Sequence, residues 1–537
     1  MPSPRSVIKL LSVMATDLQI AARRVASVNP ATGEVLREFD IATEQEVCAA
    51  VARARSAQPA WNKLGASRRI AILREFQRRL HQRKTEIARV ITREAGKPLG
   101  EALLTEVLVV LDAARFCIEN AHAFLRQEPV PHGNLAMKTK VGRILREPYG
   151  VMGIISPWNY PFSTPATETL AALVTGNAVV LKPSEFTSLA ALELGALLHG
   201  AGVPKDVLQV LVGDGSTGAA LVNAEIDKLV FTGSVPTGKR IAEAAAARLL
   251  PVVLELGGKD PMLVLDDADV EVASSGAVWG AFMNAGQACL SVERCYVHQS
   301  LYEPFVEACV RKTAQLRVGN GLDTATDVGP MIHERQLRIV ESQVDDAIAH
   351  GARVLTGGTR LEALGPNFYA PTVLVTVTRD MKIMREETFG PVLPIMPFDN
   401  EQEGIRLAND SDYGLGASVW TRNRARGEAV ASQIQAGTVM VNDCVSCFGI
   451  SEALHGGVKA SGLGRTHGHF GLEEMVRVKY LDVDLLGGMK KSWWYGYGQK
   501  FTRQMEGVID LMFARKWGQR LRGAMLTAGT FRLKRKL

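Results

Sequence analysis

The sequence predicts an α/β chain: a doubly wound domain, a second α/β domain, a small set of extended strands and a basic helical tail. Three observations predict this. At 537 residues the chain exceeds one ordinary domain. Between Val151 and Phe231, apolar runs alternate with helical stretches such as Ser188–Leu198. The runs are Val151–Ile155, Ala178–Leu181, Val207–Val212 and Lys228–Phe231, with the unbroken apolar character of strands buried on both faces. After Pro251–Glu255 a second α/β region runs from Gly257 to about Gly471, with strands expected at Met262–Leu265, Thr372–Val375, Ala417–Trp420 and Gly437–Asn442.

Taken in order, residues 1–24 are a basic, weakly apolar extension that carries no clear signal, and Met14 is an equal candidate start. Residues 43–90 read as helices, with apolar spacing from Ile70 and Phe76 through Leu80, Ile87 and Val90. Residues 25–136 and 149–256 form the first domain and 257–471 the second. Met137–Leu145 and Val476–Leu485 share an alternating, strand-like character, which sets off 137–148 and 472–487 as a separate element. No run of 18 apolar residues occurs, so no membrane span is expected. Seven scattered cysteines argue for a reducing, cytoplasmic compartment, and Cys444-Val-Ser-Cys447 lacks the second pair a zinc site needs. None of the ten histidines sits in a ligand-like cluster, so no catalytic metal is expected.

Three short segments carry chemistry. Cys289 closes Asn284-Ala-Gly-Gln-Ala-Cys289, Glu255 sits in Leu254-Glu-Leu-Gly-Gly-Lys259, and Asn159 in Pro157-Trp-Asn-Tyr-Pro161. Together they offer a thiol nucleophile, a carboxylate base and a side-chain amide donor. Such a trio can attack a carbonyl, hold the oxyanion and hydrolyse the acyl-enzyme. A free thiol has a pKa of about 8.5, so Cys289 needs help to ionise at neutral pH. Gly213-Asp-Gly215-Ser-Thr-Gly218 spells a phosphate-binding G-x-G-x-x-G, but the acid expected after the next strand is missing. Phe231-Thr232-Gly233-Ser234, opening a helix whose amides face a phosphate, is the better candidate, with Gly233 and Gly238 allowing close backbone approach.

With these segments in place, the chain resembles the aldehyde dehydrogenase superfamily from about Val25 to Asp484. The resemblance implies a Cys289 thiohemiacetal and thioester, with Glu255 as base and Asn159 in the oxyanion site. It also implies a nicotinamide cofactor. Lys182, Ser184 and Glu185 would meet the adenosine ribose; Phe231, Thr232, Gly233 and Ser234 the pyrophosphate; Glu387 and Phe389 the nicotinamide ribose. Ser156, Pro157, Trp158, Gly215 and Leu256 would complete that site. A carboxylate at Glu185 repels a 2′-phosphate, which favours NAD, with NADP left open if Glu185 rotates beside Lys182. The strands at 137–148 and 472–487 would form an oligomerisation sheet, giving a homodimer or homotetramer.

The chain also departs from that pattern. Glu168 stands where many relatives carry a lysine, as a relay or a solvated charge; Thr466 stands where many carry a glutamate; Leu454-His455 replaces Pro-Phe. The expected substrate loop, 443–455, holds no Lys or Arg, and Phe162 follows the asparagine motif, so a neutral aliphatic or aromatic aldehyde is expected. Transfer of the acyl group to coenzyme A, or a non-catalytic scaffold of the same fold, are the alternatives. The tail, 488–537, holds twelve Lys/Arg against two acids, with Trp493–Tyr497 ahead of a stripe from Phe501, Met505, Val508, Ile509, Met512 and Phe513 to Leu521. It reads either as docking on the protein itself or a sister subunit, or as lying on an anionic membrane surface. No nucleic acid is expected.

Overall fold

The computed structural model describes residues 24–134, 137–491 and 493–528, so the extension before Arg24 and the basic end Phe531–Leu537 lie outside the described residues. Two compact units are present. The larger comprises residues up to Arg126 with Arg146–Arg477 and contains both α/β regions. Its first sheet has six strands in the order Gly462–Leu463, Val252–Glu255, Lys228–Thr232, Val151–Ile155, Ala178–Lys182 and Leu208–Val210. All neighbours except the short first strand run parallel. Strands Val151–Ile155 and Ala178–Lys182 are buried at every position, which is why they read as unbroken apolar runs. Helix Glu44–Lys63 starts on a reciprocal cap between Thr43 and Glu46. Helix Gly65–Ala95 buries Ile70, Leu73, Phe76, Leu80, Ile87 and Ile91 and stops at Gly96, whose φ of 82° suits glycine. A hairpin, Arg24–Val28 with Val35–Asp40, precedes them and has no counterpart in the sequence reading.

The second sheet has seven strands: Arg353–Thr356, Thr372–Val375, Val392–Phe398, Val292–His298, Asp260–Val264, Gly416–Trp420 and Thr438–Val441. Every pair is parallel except the first. Two central strands, Val292–His298 and Val392–Phe398, were not anticipated. Arg294, almost wholly buried, projects from one of them. Its Nε donates to the Lys259 carbonyl at 2.8 Å, and its terminal nitrogens donate to the carbonyls of Leu407 and Ala408 at 3.1 and 2.9 Å. One side chain thus closes the end of helix Glu401–Asn409 and ties it to the strand that follows Gly257-Gly258.

The smaller unit, Gln127–Leu145 with Val478–Leu537, carries most of a three-stranded sheet ordered Val476–Asp484, Lys140–Pro148, Glu128–Val130. Gly142 is required there, because a Cβ would lie 2.7 Å from the Tyr480 hydroxyl oxygen. Tyr480 in turn is hydrogen-bonded to His132 Nε2 at 2.8 Å. Two helices, Gln499–Phe513 and Trp517–Thr527, pack on one another to form a terminal hairpin.

Arg294→Met keeps the length of the side chain but orphans several buried carbonyls. It should lower the unfolding free energy by at least about 2 kcal/mol. A urea midpoint equal to that of the wild type would contradict this account.

Candidate active site

In the first sheet the chain winds one way from Val151–Ile155 and the other way from Lys228–Thr232, and these two strands are neighbours. The crevice beyond their carboxyl ends is where an open α/β sheet binds ligands. Ser156–Asn159 leave one strand there, and Gly233-Ser234 leave the other. A cavity of about 1290 Å³ occupies this place, and it is lined by Cys289, Glu255, Asn159 and every residue assigned above to the cofactor.

Cys289 follows a tight turn. Asn284 and Ala285 hold left-handed backbone angles (φ 51° and 54°), and a Cβ on Gly286 would sit 2.1 Å from the Gly390 carbonyl oxygen. Local hydrogen bonds hold these angles. Asn284 N donates to Glu101 Oε2 at 2.9 Å, and its side-chain amide donates to the carbonyls of Asn159 and Gln287, both at 3.1 Å. Asn159 Nδ2 also donates to the Gln287 carbonyl at 3.1 Å. Beneath them lies a fully buried ion pair. Lys97 Nζ meets Glu106 Oε1 at 2.7 Å and the Asn159 carbonyl at 2.8 Å, while Glu106 Oε2 accepts from Phe162 N and Ser163 N at the start of helix Ser163–Val174. None of Lys97, Glu101 and Glu106 was singled out from sequence. A helical stretch with scattered charges looks the same whether those charges meet water or one another.

The electrostatics of the site are those of buried acids. Burial first, then the carboxyls of Asp260, Glu387 and Glu255, push the Cys289 thiol above its ordinary range. Burial and Glu168 hold the Glu255 carboxyl well above the carboxylate range. Glu168 is pushed up to about 8 by burial, against the opposing hydrogen bond from Thr232 Oγ1 at 3.1 Å. The reading of Glu168 as a solvated charge is therefore corrected: it is 3% exposed and lines the cavity beside Glu255.

At the other end, Lys182 Nζ lies 3.4 Å from Glu185 Oε2, and Glu387 Oε1 accepts from Gly258 N at 3.1 Å. Phe389, at φ 51°, is held by Glu293, which accepts from Thr388 N and Phe389 N and pairs with buried Lys259 at 2.6 Å. Trp158 meets the Phe389 ring edge-on, with centroids 5.3 Å apart. No side chain caps helix Val235–Ala246, so its first-turn amides open toward Ser234 and Thr237 on the cavity wall. Gly233 and Gly238 are also closely packed by the protein itself. A Cβ at 233 would lie 2.6 Å from the Phe231 ring and one at 238 2.5 Å from a Leu256 methyl, so a larger residue at either would have to displace a neighbouring side chain. Gly215, by contrast, faces open space.

The opposite mouth is apolar. Leu104, Leu108, Trp279 and Ile450 line it while remaining 39–53% exposed. Phe162, expected near the substrate, is instead fully buried in the core of the first sheet; Tyr160 and Phe448 line the cavity. Arg115 is a cation at this mouth outside the loop considered from sequence, and it is tied to Asp112, Glu119 and Glu452 at 2.6–3.0 Å.

A family model, "Aldehyde dehydrogenase family", matches residues 19–481. The chain belongs to the aldehyde dehydrogenase family. Among the curated members of this aldehyde dehydrogenase family, it is 38% identical over 497 residues to a 4,4′-diapolycopene aldehyde oxidase of Methylomonas, with 91% of each chain covered. It is also 38% identical over 458 residues to a mitochondrial succinate-semialdehyde dehydrogenase of Oryza sativa, covering 84% of this chain and 85% of that one. Among solved structures, the NAD⁺ complex of an aldehyde dehydrogenase from Bacillus cereus superposes with a TM-score of 0.83 at 36% identity, covering 87% of this chain and 94% of that one. A Sinorhizobium meliloti NAD-dependent aldehyde dehydrogenase gives 0.84 at 36% identity, covering 88% and 93%.

The buried pair beneath this family's cavity yields a direct expectation. Lys97→Met strands Glu106 without its counter-charge and should cost about 3–5 kcal/mol of stability. Because the Asn159 carbonyl also loses its donor, kcat/KM should fall in the fraction that folds. Wild-type urea midpoint and kcat/KM together would show that the pair does not hold the site.

Proposed function

We propose that this chain oxidises a neutral, apolar aldehyde to the carboxylic acid with NAD(P), by hydrolysis of a Cys289 thioester. The observation that carries the substrate class is the mouth of the cavity. Its wall is exposed Leu104, Leu108, Trp279 and Ile450, and Arg115, the cation beside them, is already matched by three carboxylates. A substrate bearing a remote carboxylate would find Asp112 and Glu452 there rather than a free cation. The Methylomonas relative is named for 4,4′-diapolycopene aldehyde and the Oryza relative for succinate semialdehyde, at equal identity to this chain, so the substrate class rests on the mouth.

The residues fit the cofactor. Helix Val235–Ala246 offers uncapped amides for a pyrophosphate, and the carboxylates of Glu185 and Glu387 offer acceptors for ribose hydroxyls. Glu185 favours NAD, while Lys182 beside it leaves room for NADP. When bound, the nicotinamide supplies the hydride acceptor that brings the substrate carbon to the acyl level. The chain's own residues do the rest. Cys289 Sγ attacks the aldehyde carbon, and the Asn159 amide and the Cys289 N–H donate to the oxygen that becomes charged. The thioester then remains on Cys289 until Glu255 takes a proton from water that attacks its carbonyl carbon.

Cys289→Ala should abolish oxidation, and the wild type should turn over hexanal with kcat/KM at least about tenfold above that for succinic semialdehyde; a tenfold ratio corresponds to about 1.4 kcal/mol in the transition state. Oxidation by the alanine variant would overturn the mechanism. A preference for succinic semialdehyde would overturn the substrate class.

Two surfaces of the smaller unit extend the proposal. Strand Val476–Asp484 lies at the edge of its sheet and exposes Val478, Tyr480 and Val483, so we assign it to pairing with a second copy in a homodimer or homotetramer. The terminal hairpin is assigned to an anionic bilayer surface. It closes on glycines: a Cβ at Gly507 would lie 2.5 Å from Leu526 Cβ, and one at Gly523 2.5 Å from Leu511 N. Ile509, Phe513, Trp517, Leu521 and Met525 are left at least half exposed, and Arg503, Arg515, Lys516, Arg520 and Arg522 outnumber Glu506 and Asp510. Four of the seven residues of the stripe drawn from sequence, Phe501, Met505, Val508 and Met512, are partly buried; Trp517 and Met525 are exposed in addition to the other three. No helix among the described residues is long and apolar enough to cross a membrane, so the contact is peripheral. The intact chain should sediment with phosphatidylserine vesicles at low salt, and a chain ending at Gly488 should not. Equal behaviour of the two, or concentration-dependent self-association through the hairpin without vesicle binding, would overturn the assignment.

A further inference from the structure

Beside the mouth of the catalytic cavity lies a second hollow that the reaction outlined above does not use, a chamber of about 470 Å³. Two side chains, Trp279 and Met283, line both spaces and so form the partition between them. The same two helical stretches build both. Residues 99–124 are helical throughout; their start gives Leu99 and Glu101 to the chamber, and Leu104 and Leu108 follow at the mouth. Three helical residues advance the chain by no more than about 4.5 Å, so the chamber begins within a turn of the mouth. On helix Val270–Phe282 the chamber is faced by Ser275, Val278, Trp279 and Phe282, whose spacing marks a single helix face. Trp279, the member of that face that also reaches the cavity, is left 39% exposed.

The chamber walls are apolar. Val278, Phe282, Met283 and Val328 are buried there, with Leu99 and Leu316 half-buried beside them. Its polar residues are engaged by the chain itself. Lys312 Nζ donates to the hydroxyls of Ser274 and Ser275 at 2.7 Å each and pairs with Glu271 at 3.1 Å. Asp327 pairs with Arg317 at 3.0 Å, Thr326 Oγ1 donates to the Asn320 carbonyl at 2.8 Å, and Asp323 Oδ1 accepts from Ala325 N at 2.9 Å. Glu101 Oε2 is taken by Asn284 N. A ligand recognised by charge would have to displace these partners, whereas a hydrocarbon chain needs none of them.

We infer that the chamber receives the far end of an extended, apolar aldehyde whose carbonyl lies at Cys289, the chain passing beside Trp279. This rests on the reading of the cavity as the site of a neutral, apolar aldehyde, and it narrows that class to long hydrocarbon chains. A short aldehyde ends before the partition and leaves Leu104, Leu108 and Trp279 in water; a long one covers them on its way to the chamber. Each methylene withdrawn from water is worth up to about fourfold in binding, so a few carbons seated in the chamber suffice for a measurable preference.

The test compares kcat/KM with NAD for straight-chain aldehydes from hexanal to tetradecanal, delivered on cyclodextrin. In the wild type the value for tetradecanal should exceed that for hexanal at least about tenfold. Leu316→Trp and Leu99→Phe place bulk in the chamber from two different elements, and neither residue lines the catalytic cavity. Each should reduce the tetradecanal-to-hexanal ratio at least about tenfold. The ratio is taken within one variant, so a loss of folded enzyme cancels. Leu316→Cys supplies a direct reading of occupancy: tetradecanamide should slow its labelling by N-ethylmaleimide severalfold, followed by the mass of the peptide containing residue 316, and hexanamide should not. A wild-type ratio near one would overturn the proposal, as would a high ratio that both filling variants keep while Leu316→Cys stays unprotected. Equal protection by hexanamide would show that the chamber takes a small molecule of its own, and would overturn its assignment to the substrate chain. Preference of the wild type for succinic semialdehyde over hexanal would instead overturn the substrate class on which the chamber's role rests.

Discussion

The Lys97 ammonium is the fixed point beneath the active site. It is fully buried, and a cation removed from water must be surrounded by acceptors or it is expelled. Glu106 and the Asn159 carbonyl supply them, and the Tyr160 ring lies 3.9 Å beneath the ammonium. Through Glu106 the same ion fixes the first turn of helix Ser163–Val174, and it holds the backbone of Asn159, whose side-chain amide donates to the Gln287 carbonyl. An apolar pair could fill the volume at no loss of stability, but it could not set the direction of three backbone groups at once. Position, more than stability, explains why charge is spent there.

Lys259 and Glu293 repeat this arrangement at the opposite end of the cavity, where they hold Phe389 at a positive φ. At both Asn284-Ala285 and Phe389 a strained backbone N–H donates to a carboxyl brought from elsewhere in the chain, Glu101 and Glu293 respectively. Between the two pairs lie acids with no cation of their own: Glu255, Glu168 and Glu387. Burial pushes the carboxyls of all three upward.

Much of the scaffold was legible in the sequence because strands buried on both faces must be apolar throughout. Val151–Ile155, Ala178–Lys182 and Thr372–Val375 announced themselves in this way. Val292–His298 did not, since it carries Glu293 and Arg294, two charges that are buried only because Lys259 and helix Glu401–Asn409 receive them. The motif segments around Asn159, Glu255, Cys289 and Glu387 were legible as short patterns, and the fold brings them to one cavity. The mouth was not legible. Leu104 and Leu108 look like ordinary helix-surface residues, and Arg115 like a solvated charge, until the neighbours of each are known.

By itself, the sequence determined the layered α/β architecture and the family, because these follow from periodicity and from motifs a few residues long. The tertiary structure decided which charges are buried and against what. The terminal hairpin shows the same division. Its amphipathic composition is written in the chain, but which apolar side chains stay outside follows from the close contact of Gly507 and Gly523, two glycines on different helices. Burial is a property of neighbours, and neighbours far apart in sequence, such as Glu168 and Glu255 or Lys97 and Asn159, meet only when the chain has folded.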